Sequence, residues 1–209
     1  MLRRKPVIGL IGGVGSGKSL AAAEFAKYRG RIVSGDAFGH EALRRPETKE
    51  QIVHRWGREI LNDEGEVDRR KLGAIVFADP KERKTLEGLV FPWIEKRIDE
   101  ELAQAMCDSQ VRFVVLDAAI MLEAGWAKRC DQIVFVDTPR EERLRRLAQE
   151  RGWTAQQVEQ REKAQWPLNE KQMRASVVLD NSGSPEALAQ QVRKLVAQWG
   201  ILENPEGDV

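Results

Sequence analysis

Short apolar runs alternate with longer segments of helical periodicity along the chain. Five such runs are present, at residues 7–11, 31–34, 113–117, 133–137 and 177–179. Short continuous apolar runs are typical of strands that are buried on both faces of a sheet. Because helical segments separate the runs, the pattern predicts an α/β fold built on a five-stranded parallel sheet.

Helical periodicity fills most of the remaining chain. Helices are predicted over residues 18–28 and 185–200. Residues 37–110 contain no convincing strand and indicate a helical insertion, with a turn at 63–65 and helix boundaries at Pro80 and Pro92. A second helical segment, rich in arginine, covers residues 139–170. The sequence therefore predicts a single domain in three parts, which are the insertion, the arginine-rich segment and a core of residues 1–36, 111–138 and 171–203.

A glycine-rich motif follows the first predicted strand and precedes the first predicted helix. The G-x-x-x-x-G-K-[ST] motif consists of Gly12, Gly13, Val14, Gly15, Ser16, Gly17, Lys18 and Ser19. Leu20, which follows the motif, is also predicted to contact ATP. The glycines let the backbone curl so that its N–H groups face phosphate oxygens, and the helix start adds positive potential. Lys18 can reach the β and γ phosphates, and the Ser19 hydroxyl can ligate Mg²⁺. The motif and its position indicate a P-loop that binds the phosphate tail of ATP.

Three aspartates come at the ends of predicted strands, where ligands of a parallel sheet bind. Asp36 could orient an acceptor hydroxyl and take its proton, or it could cap the helix that follows. Asp117 could reach Mg²⁺ through water, or it could be another helix N-cap. Asp137 precedes Thr138-Pro139, which favours a cap or turn residue. Both alternatives for Asp36 and for Asp117 stay open at this point.

Five arginines lie close together in the second helical segment: Arg140, Arg143, Arg145, Arg146 and Arg151. A mobile lid that carries arginines would neutralise charge on a transferring phosphoryl group. The same arginines could instead form solvated ion pairs with glutamates of the same helix. We expect most of the cluster to be of the second kind, with one or two arginines functional.

The overall charge excludes some classes of partner. The chain of 209 residues has 34 Lys and Arg against 33 Asp and Glu, a formal net charge of +1. This balance gives no field that would attract nucleic acid or a membrane surface, so we expect only small-molecule partners. No apolar stretch approaches the length of a membrane span. The cysteines Cys107 and Cys130 are expected to be reduced thiols of a cytoplasmic protein. The sequence carries no signal for an oligomeric state.

Several further motifs resemble the dephospho-CoA kinase family, from about residue 8 to residue 192. They are the P-loop region 9–19, Asp36, Trp56-Gly57, the run 63–72, Val76-Phe77, Leu86-Glu87, Phe91-Pro92, Leu122-Glu123, the series Arg161, Gln165, Pro167 and Lys171, and the loop 180–183. Many enzymes share the P-loop. The Asp-Arg-x-x-Leu run within 63–72 and the Asn-x-Gly loop at 181–183 are much more particular at these spacings.

The resemblance implies a three-part kinase with a nucleotide-binding core, a helical acceptor domain at 37–110 and a lid at 139–170. It implies transfer of the γ-phosphoryl group of ATP, with Mg²⁺, to the ribose 3′-hydroxyl of dephospho-CoA. This reaction would be the last step in making coenzyme A.

The resemblance also implies roles for individual residues. Asp36 would be the catalytic base and would contact the acceptor, together with Leu122 and Glu123. Lys18 and Arg146 would act on the transferring group, with Ser19 on the metal. Two residues would flank the adenine of ATP: Asn181 and Gly183.

The chain departs from the family pattern on the acceptor side and in the lid. The departures stand at Ser34, Phe91, Ala119, Ile120, Glu150 and Ser176. Two other functions therefore stay open. One is a P-loop kinase of the same architecture with another small acceptor, such as a nucleoside monophosphate, and the other is a nucleotide-binding protein with little catalysis.

Overall fold

The predicted strands form one sheet in a computed structural model of the chain, which describes residues 5–200. The strands are β1 (Val7–Gly12), β2 (Gly30–Ser34), β3 (Phe113–Asp117), β4 (Gln132–Asp137) and β5 (Val177–Asp180). The helices of this described part are α1 (Lys18–Ala26), α2 (Gly35–Arg44), α3 (Pro46–Trp56), α4 (Arg69–Val76), α5 (Pro80–Cys107), α6 (Arg140–Arg151), α7 (Ala155–Lys163), α8 (Leu168–Arg174) and α9 (Pro185–Gln198). Short 3₁₀ turns occupy Arg58–Ile60 and Trp126–Arg129. The outer ends of the predicted core, residues 1–4 and 201–203, lie outside the described residues.

All five strands are parallel and follow the order β2-β3-β1-β4-β5, so that β1 is central. Gly9 of β1 pairs with Leu116 of β3 on one side and with Ile133 of β4 on the other. Parallel strands end at the same edge of a sheet, so the segments that follow them meet there. The predicted fold class is confirmed, and the P-loop leaves the sheet at its middle.

Alternate residues of β1 supply two separate core layers. Ile8 and Leu10 pack in a cluster with residues of α1 and α9. Val7 and Ile11 belong to the cluster on the opposite face, which α2 and α5 cover. Side chains of a strand point alternately to the two faces of the sheet. A strand that helices cover on both sides must therefore be apolar at every position, which is the pattern that predicted it.

The insertion between β2 and β3 has a small core of its own. Its buried members are Ile52, Ile60, Val67, Leu72 and Val76. Helix α5 joins this core to the sheet, because Leu86 and Leu89 pack on the insertion core while Ile94 and Ile98 are buried against the sheet. Over the described residues, strand pairing in the insertion is limited to an isolated bridge between residues 61 and 67.

One predicted helix boundary is wrong. Pro92 lies inside the 28-residue helix α5, whereas Pro80 begins that helix as predicted. A proline lacks an N–H, and its ring opposes the carbonyl four residues earlier, here that of Gly88. Pro92 is exposed, so water can bond that carbonyl, and Val90 and Ile94 are buried on either side of it. Burial of the flanking residues outweighs the local penalty of the proline.

The arginine-rich segment folds as α6, α7 and the start of α8, and α8 packs back against β1 and β4. This segment therefore leaves the sheet after β4 and returns to it before β5. No helix among residues 5–200 is both long and apolar enough to cross a membrane.

Candidate active site

The P-loop joins β1 to α1 through backbone conformations that favour glycine. Gly15 has φ 76° and Gly17, the N-cap of α1, has φ 85°. A Cβ on Gly15 would lie 2.8 Å from Leu147 Cδ1, and a Cβ on Gly17 would overlap Asn181 Nδ2. Both positions therefore exclude a side chain by conformation and by space.

Side chains from the ends of β4 and β5 hold the carbonyl groups of the loop. The carbonyl of Ser16 accepts hydrogen bonds from Thr138 Oγ1 and Asn181 Nδ2, both at 2.8 Å. The carbonyl of Val14 accepts from Arg143 Nη1 at 3.0 Å. These bonds reach the loop from distant parts of the chain and fix its curvature. The Asn181 amide, which the family resemblance assigns to the adenine, thus also supports the phosphate loop.

The first turn of α1 places a cation and a hydroxyl beside Asp117. Lys18 Nζ donates to the Gly13 carbonyl at 3.3 Å, and Ser19 Oγ donates to Asp117 Oδ2 at 3.3 Å. Burial lowers the pKa of Lys18, and the charges of Asp117 and Asp36 oppose that shift. Burial raises the pKa of Asp117, and the positive charge of Lys18 opposes this rise. No helix begins directly after Asp117 in the described chain, so its N-cap alternative is wrong.

The donor set at this point suits Mg²⁺. The Ser19 hydroxyl offers a hard oxygen ligand, and the Asp117 carboxylate, within hydrogen-bond distance of it, could reach the ion through water. Residues 5–200 hold no cluster of three or more acidic, histidine or cysteine groups that could enclose a metal. A magnesium ion here would take its remaining ligands from phosphate and water, as it usually does in nucleotide sites.

Asp36 lies in the first turn of α2 and is exposed. The N-cap of α2 is Ser34, whose hydroxyl accepts a hydrogen bond from the Ala37 N–H at 3.2 Å. The N-cap alternative for Asp36 is therefore wrong. Asp36 Oδ1 instead accepts from the N–H of Ala119 at 3.4 Å, across the sheet edge from α2. Ser34 pairs with Asp117 in the sheet and Ser19 contacts Asp117, so Asp36 and the start of α1 lie at the same carboxyl edge of the sheet.

Arg143 has a role that the sequence analysis missed. Its side chain is 3% exposed and pairs with Glu162 of α7 at 2.6 Å. Its Nε donates to the Thr138 carbonyl at 3.2 Å, in addition to the bond from Nη1 to the P-loop. The available signal was helical spacing, because Arg143 lies one turn before the buried Leu147 and so shares its inward face.

The other arginines of α6 divide into two groups. Arg145 is exposed and pairs with Glu142 of its own helix at 2.8 Å, as the solvated alternative predicts. Arg146 Nη2 donates to the Asn181 carbonyl at 3.0 Å, which sets this guanidinium next to the P-loop. The positive charges of Lys171 and Arg151 add to the lowering of the Lys18 pKa.

The remaining predicted nucleotide contacts lie in α1 and in the loop after β5. Leu20 is 39% exposed although it is a large apolar residue. Gly183 follows β5, and a Cβ there would make only ordinary contact with Ala187 at 3.7 Å. Packing therefore does not explain the glycine at 183, and the predicted adenine contact stays a prediction.

On the acceptor side, the structure brings Glu123 and Lys171 together. Glu123 Oε1 accepts from Lys171 Nζ at 2.9 Å and from the Trp166 N–H at 2.8 Å. The neighbouring Leu122 is half-buried and packs on the core layer below α5. Glu123 thus has partners within the protein that the sequence analysis did not foresee. The substrate contacts predicted for these two residues stay predictions.

A family model described as dephospho-CoA kinase matches residues 6–186. The dephospho-CoA kinase of Geobacillus kaustophilus is 36% identical over 197 residues, which cover 94% of this chain and 98% of the relative. That of Geobacter metallireducens is 39% identical over 203 residues, which cover 95% and 98%.

Solved structures agree with this result. A crystal structure from Thermus thermophilus has a TM-score of 0.76 at 34% identity and covers 94% of this chain and 98% of that chain. A shikimate kinase from Acinetobacter baumannii shares the fold, with a TM-score of 0.51 at 17% identity and coverage of 93% and 94%. The family model and the relatives of 36% and 39% identity each match most of the chain, so the protein belongs to the dephospho-CoA kinase family.

Proposed function

We propose that the protein transfers the γ-phosphoryl group of ATP to the ribose 3′-hydroxyl of dephospho-CoA. The observation that carries this proposal is the meeting of the P-loop with the ends of β2 and β3. Ser19, next to Lys18, contacts Asp117, and Asp36 contacts the backbone two positions after Asp117. A phosphate-binding loop with a free carboxylate opposite its lysine suits transfer to an alcohol. The family match supports dephospho-CoA as that alcohol.

The nucleotide side of the proposal rests on the loop. Its backbone N–H groups and the Lys18 ammonium bind the phosphates, while Asn181 and Gly183 border the adenine. Arg146 lies beside Gly17 and neutralises charge on the phosphoryl group during transfer. The helices α6 and α7 form the lid in this proposal, and the insertion binds the acceptor, with Leu122 and Glu123 at its edge.

The chemistry requires one proton acceptor. As the 3′-oxygen forms its bond to the γ-phosphorus, its proton passes to the Asp36 carboxylate, and the bond to the bridging oxygen of ADP breaks. The Ala119 N–H holds one oxygen of Asp36, which leaves the other oxygen for the hydroxyl. An exposed carboxylate in the first turn of a helix is accessible to a substrate that enters from the insertion side.

Ser19 would hold Mg²⁺ directly, and Asp117 would hold it through water. When bound, the ion supplies positive charge to the β and γ phosphates. The raised pKa of Asp117 reflects its burial, and a cation beside it would offset the cost of keeping that carboxylate ionised.

ADP formation, measured with dephospho-CoA and without any acceptor, tests the proposal. We expect turnover only with dephospho-CoA. Mass spectrometry and NMR should show that the product carries one added phosphoryl group, on the ribose 3′-oxygen. Turnover with a nucleoside monophosphate but not with dephospho-CoA would instead favour the alternative acceptor class. ATP binding without turnover on either acceptor would favour a nucleotide-binding protein.

A further inference from the structure

Lys171 is a buried lysine that is not part of the phosphate-binding loop. It projects from α8 and is 1% exposed. Its ammonium has three acceptors: Glu123 Oε1 at 2.9 Å, Gln165 Oε1 at 2.9 Å and the Ala119 carbonyl at 3.1 Å. An ammonium has three protons to donate, so these three acceptors satisfy it. A buried cation with complete pairing has a defined position.

The segment that Lys171 contacts has no regular structure. Residues 118–125 form successive turns between β3 and the 3₁₀ turn at Trp126–Arg129. Outside helices and sheets, the position of a backbone segment depends on the individual bonds that reach it. Lys171 supplies such a bond to the carbonyl of Ala119.

Ala119 is also the residue that contacts the proposed base. Its N–H donates to Asp36 Oδ1 at 3.4 Å, while its carbonyl accepts from Lys171 at 3.1 Å. The backbone of Ala119 therefore connects the buried ammonium to the exposed carboxylate. Without the lysine, Ala119 would keep only the longer of these two contacts.

We propose that Lys171 is a positioning residue, which fixes the turn after β3 so that the Ala119 N–H orients the Asp36 carboxylate. This inference rests on the proposed function of Asp36 as the base. Gln165 and the Trp166 N–H, at the end of the arginine-rich segment, join the same network. The network thus sets the turn relative to the end of the lid as well.

The alternative is that Lys171 serves only to neutralise Glu123. Glu123 Oε2 is buried and, among the described residues, has no hydrogen-bond partner, so an unpaired Glu123 would be costly. Two variants separate the possibilities: Glu123→Gln, which removes the charge and keeps the lysine, and the double variant Lys171→Met with Glu123→Gln. The double variant leaves no unpaired charge but takes the donor away from Ala119.

Lys5→Met is a matched control. The Lys5 ammonium also donates to backbone carbonyls, those of Ala105 at 2.8 Å and of Asp108, at the opposite edge of the sheet. This substitution removes the same kind of bond at a place that does not contact Asp36 or the turn 118–125.

Steady-state kinetics and hydrogen exchange test the inference together. In the double variant, we expect kcat to fall about 10- to 100-fold below that of Glu123→Gln alone, with KM for ATP unchanged, since small misplacements of reacting groups carry penalties of this order. Amides of 118–125 should exchange faster in the double variant, while those of β3 stay protected. Lys5→Met should change neither kcat nor exchange in 118–125.

Equal kcat in the double variant and in Glu123→Gln, with unchanged exchange in 118–125, would overturn the positioning role. Absence of dephospho-CoA-dependent ADP formation in the wild type would overturn the proposed function and the catalytic part of this inference. The exchange measurement would still decide whether Lys171 holds the turn, because it needs no acceptor.

Discussion

Arg143→Met removes a buried guanidinium that joins three parts of the site. Its side chain is 3% exposed, its partner Glu162 is 22% exposed, and the ion pair is 2.6 Å long. Two backbone carbonyls, of Thr138 and Val14, lose a charged donor as well. Loss of one partner of a buried ion pair costs about 3–5 kcal/mol. Because Glu162 can regain some water, we expect the lower part of that range, about 3–4 kcal/mol in the free energy of unfolding.

Thermal unfolding by circular dichroism measures this effect. For a chain of this size, each kcal/mol lowers Tm by about 2–4 °C, so Arg143→Met should melt about 6–16 °C below the wild type. The variant should also gain less stabilisation from ATP, because the Val14 carbonyl of the P-loop loses its donor. Adding Glu162→Gln should restore part of the lost stability, since only the longer ion pair with Arg140, at 3.5 Å, would otherwise balance this carboxylate.

Arg145→Met is the control, two residues along the same helix. Arg145 is 61% exposed and pairs with Glu142 within the helix, an interaction worth about 0.5 kcal/mol or less. Its Tm should stay within about 2 °C of the wild type. If the Tm of Arg143→Met also stayed within about 2 °C of the wild type, the buried guanidinium would not stabilise the loop and the reasoning would be refuted.

Three further predictions concern the loop and the two carboxylates. Asp36→Asn should lower kcat by a factor of about 10²–10⁴ while ATP still raises Tm, and full turnover in this variant would contradict the assignment of the base. Gly17→Ala should abolish the ATP-dependent rise in Tm, because φ is 85° and the new Cβ would overlap the Asn181 side-chain amide. The control Gly88→Ala, in open space on α5, should instead stabilise the folded protein by about 0.5–1 kcal/mol. Burial raises the pKa of Asp117 above its ordinary 3.8, so stability is lost as the pH rises from 3.8 to that raised pKa, and the full cost is present above it. Asp117→Asn should therefore melt higher than the wild type at neutral pH, with a difference that shrinks as the pH falls towards 3.8, and a constant difference across this range would contradict the argument.

The sheet and the phosphate loop were predictable because their signals are local. Each buried strand is a continuous apolar run, and the motif from Gly12 to Ser19 carries its own geometry in its glycines. Pro92 misled the prediction because the local rule for proline ignores burial of its neighbours. What keeps α5 continuous there is packing on the sheet, which is a tertiary effect.

Arg143 and Lys171 were missed as supporting residues for a related reason. Arg143 contacts a carbonyl 129 positions away in sequence, and Lys171 contacts one 52 positions away. A charged residue in a helix normally indicates a solvated face. Only the packing of α6 and α8 against the site turns these two side chains inward.

Several departures from the family pattern have a structural explanation. Ser34 caps α2. Phe91 packs edge-on against Trp126 with 5.4 Å between ring centroids. Ser176 Oγ donates to Gln132 Oε1 at 2.7 Å and so links the start of β5 to β4. Nothing in the structure explains Glu150.

The double anchor on the Ser16 carbonyl has a consequence for biosynthesis of the protein. The loop is translated before both of its anchors, and one of them, Asn181, follows Ser16 by 165 positions. A nascent chain on the ribosome would expose the whole glycine motif long before β5 could dock beside β4. Competence to bind nucleotide should therefore arise only after Asn181 has emerged, and chains that terminate before this residue should not bind ATP.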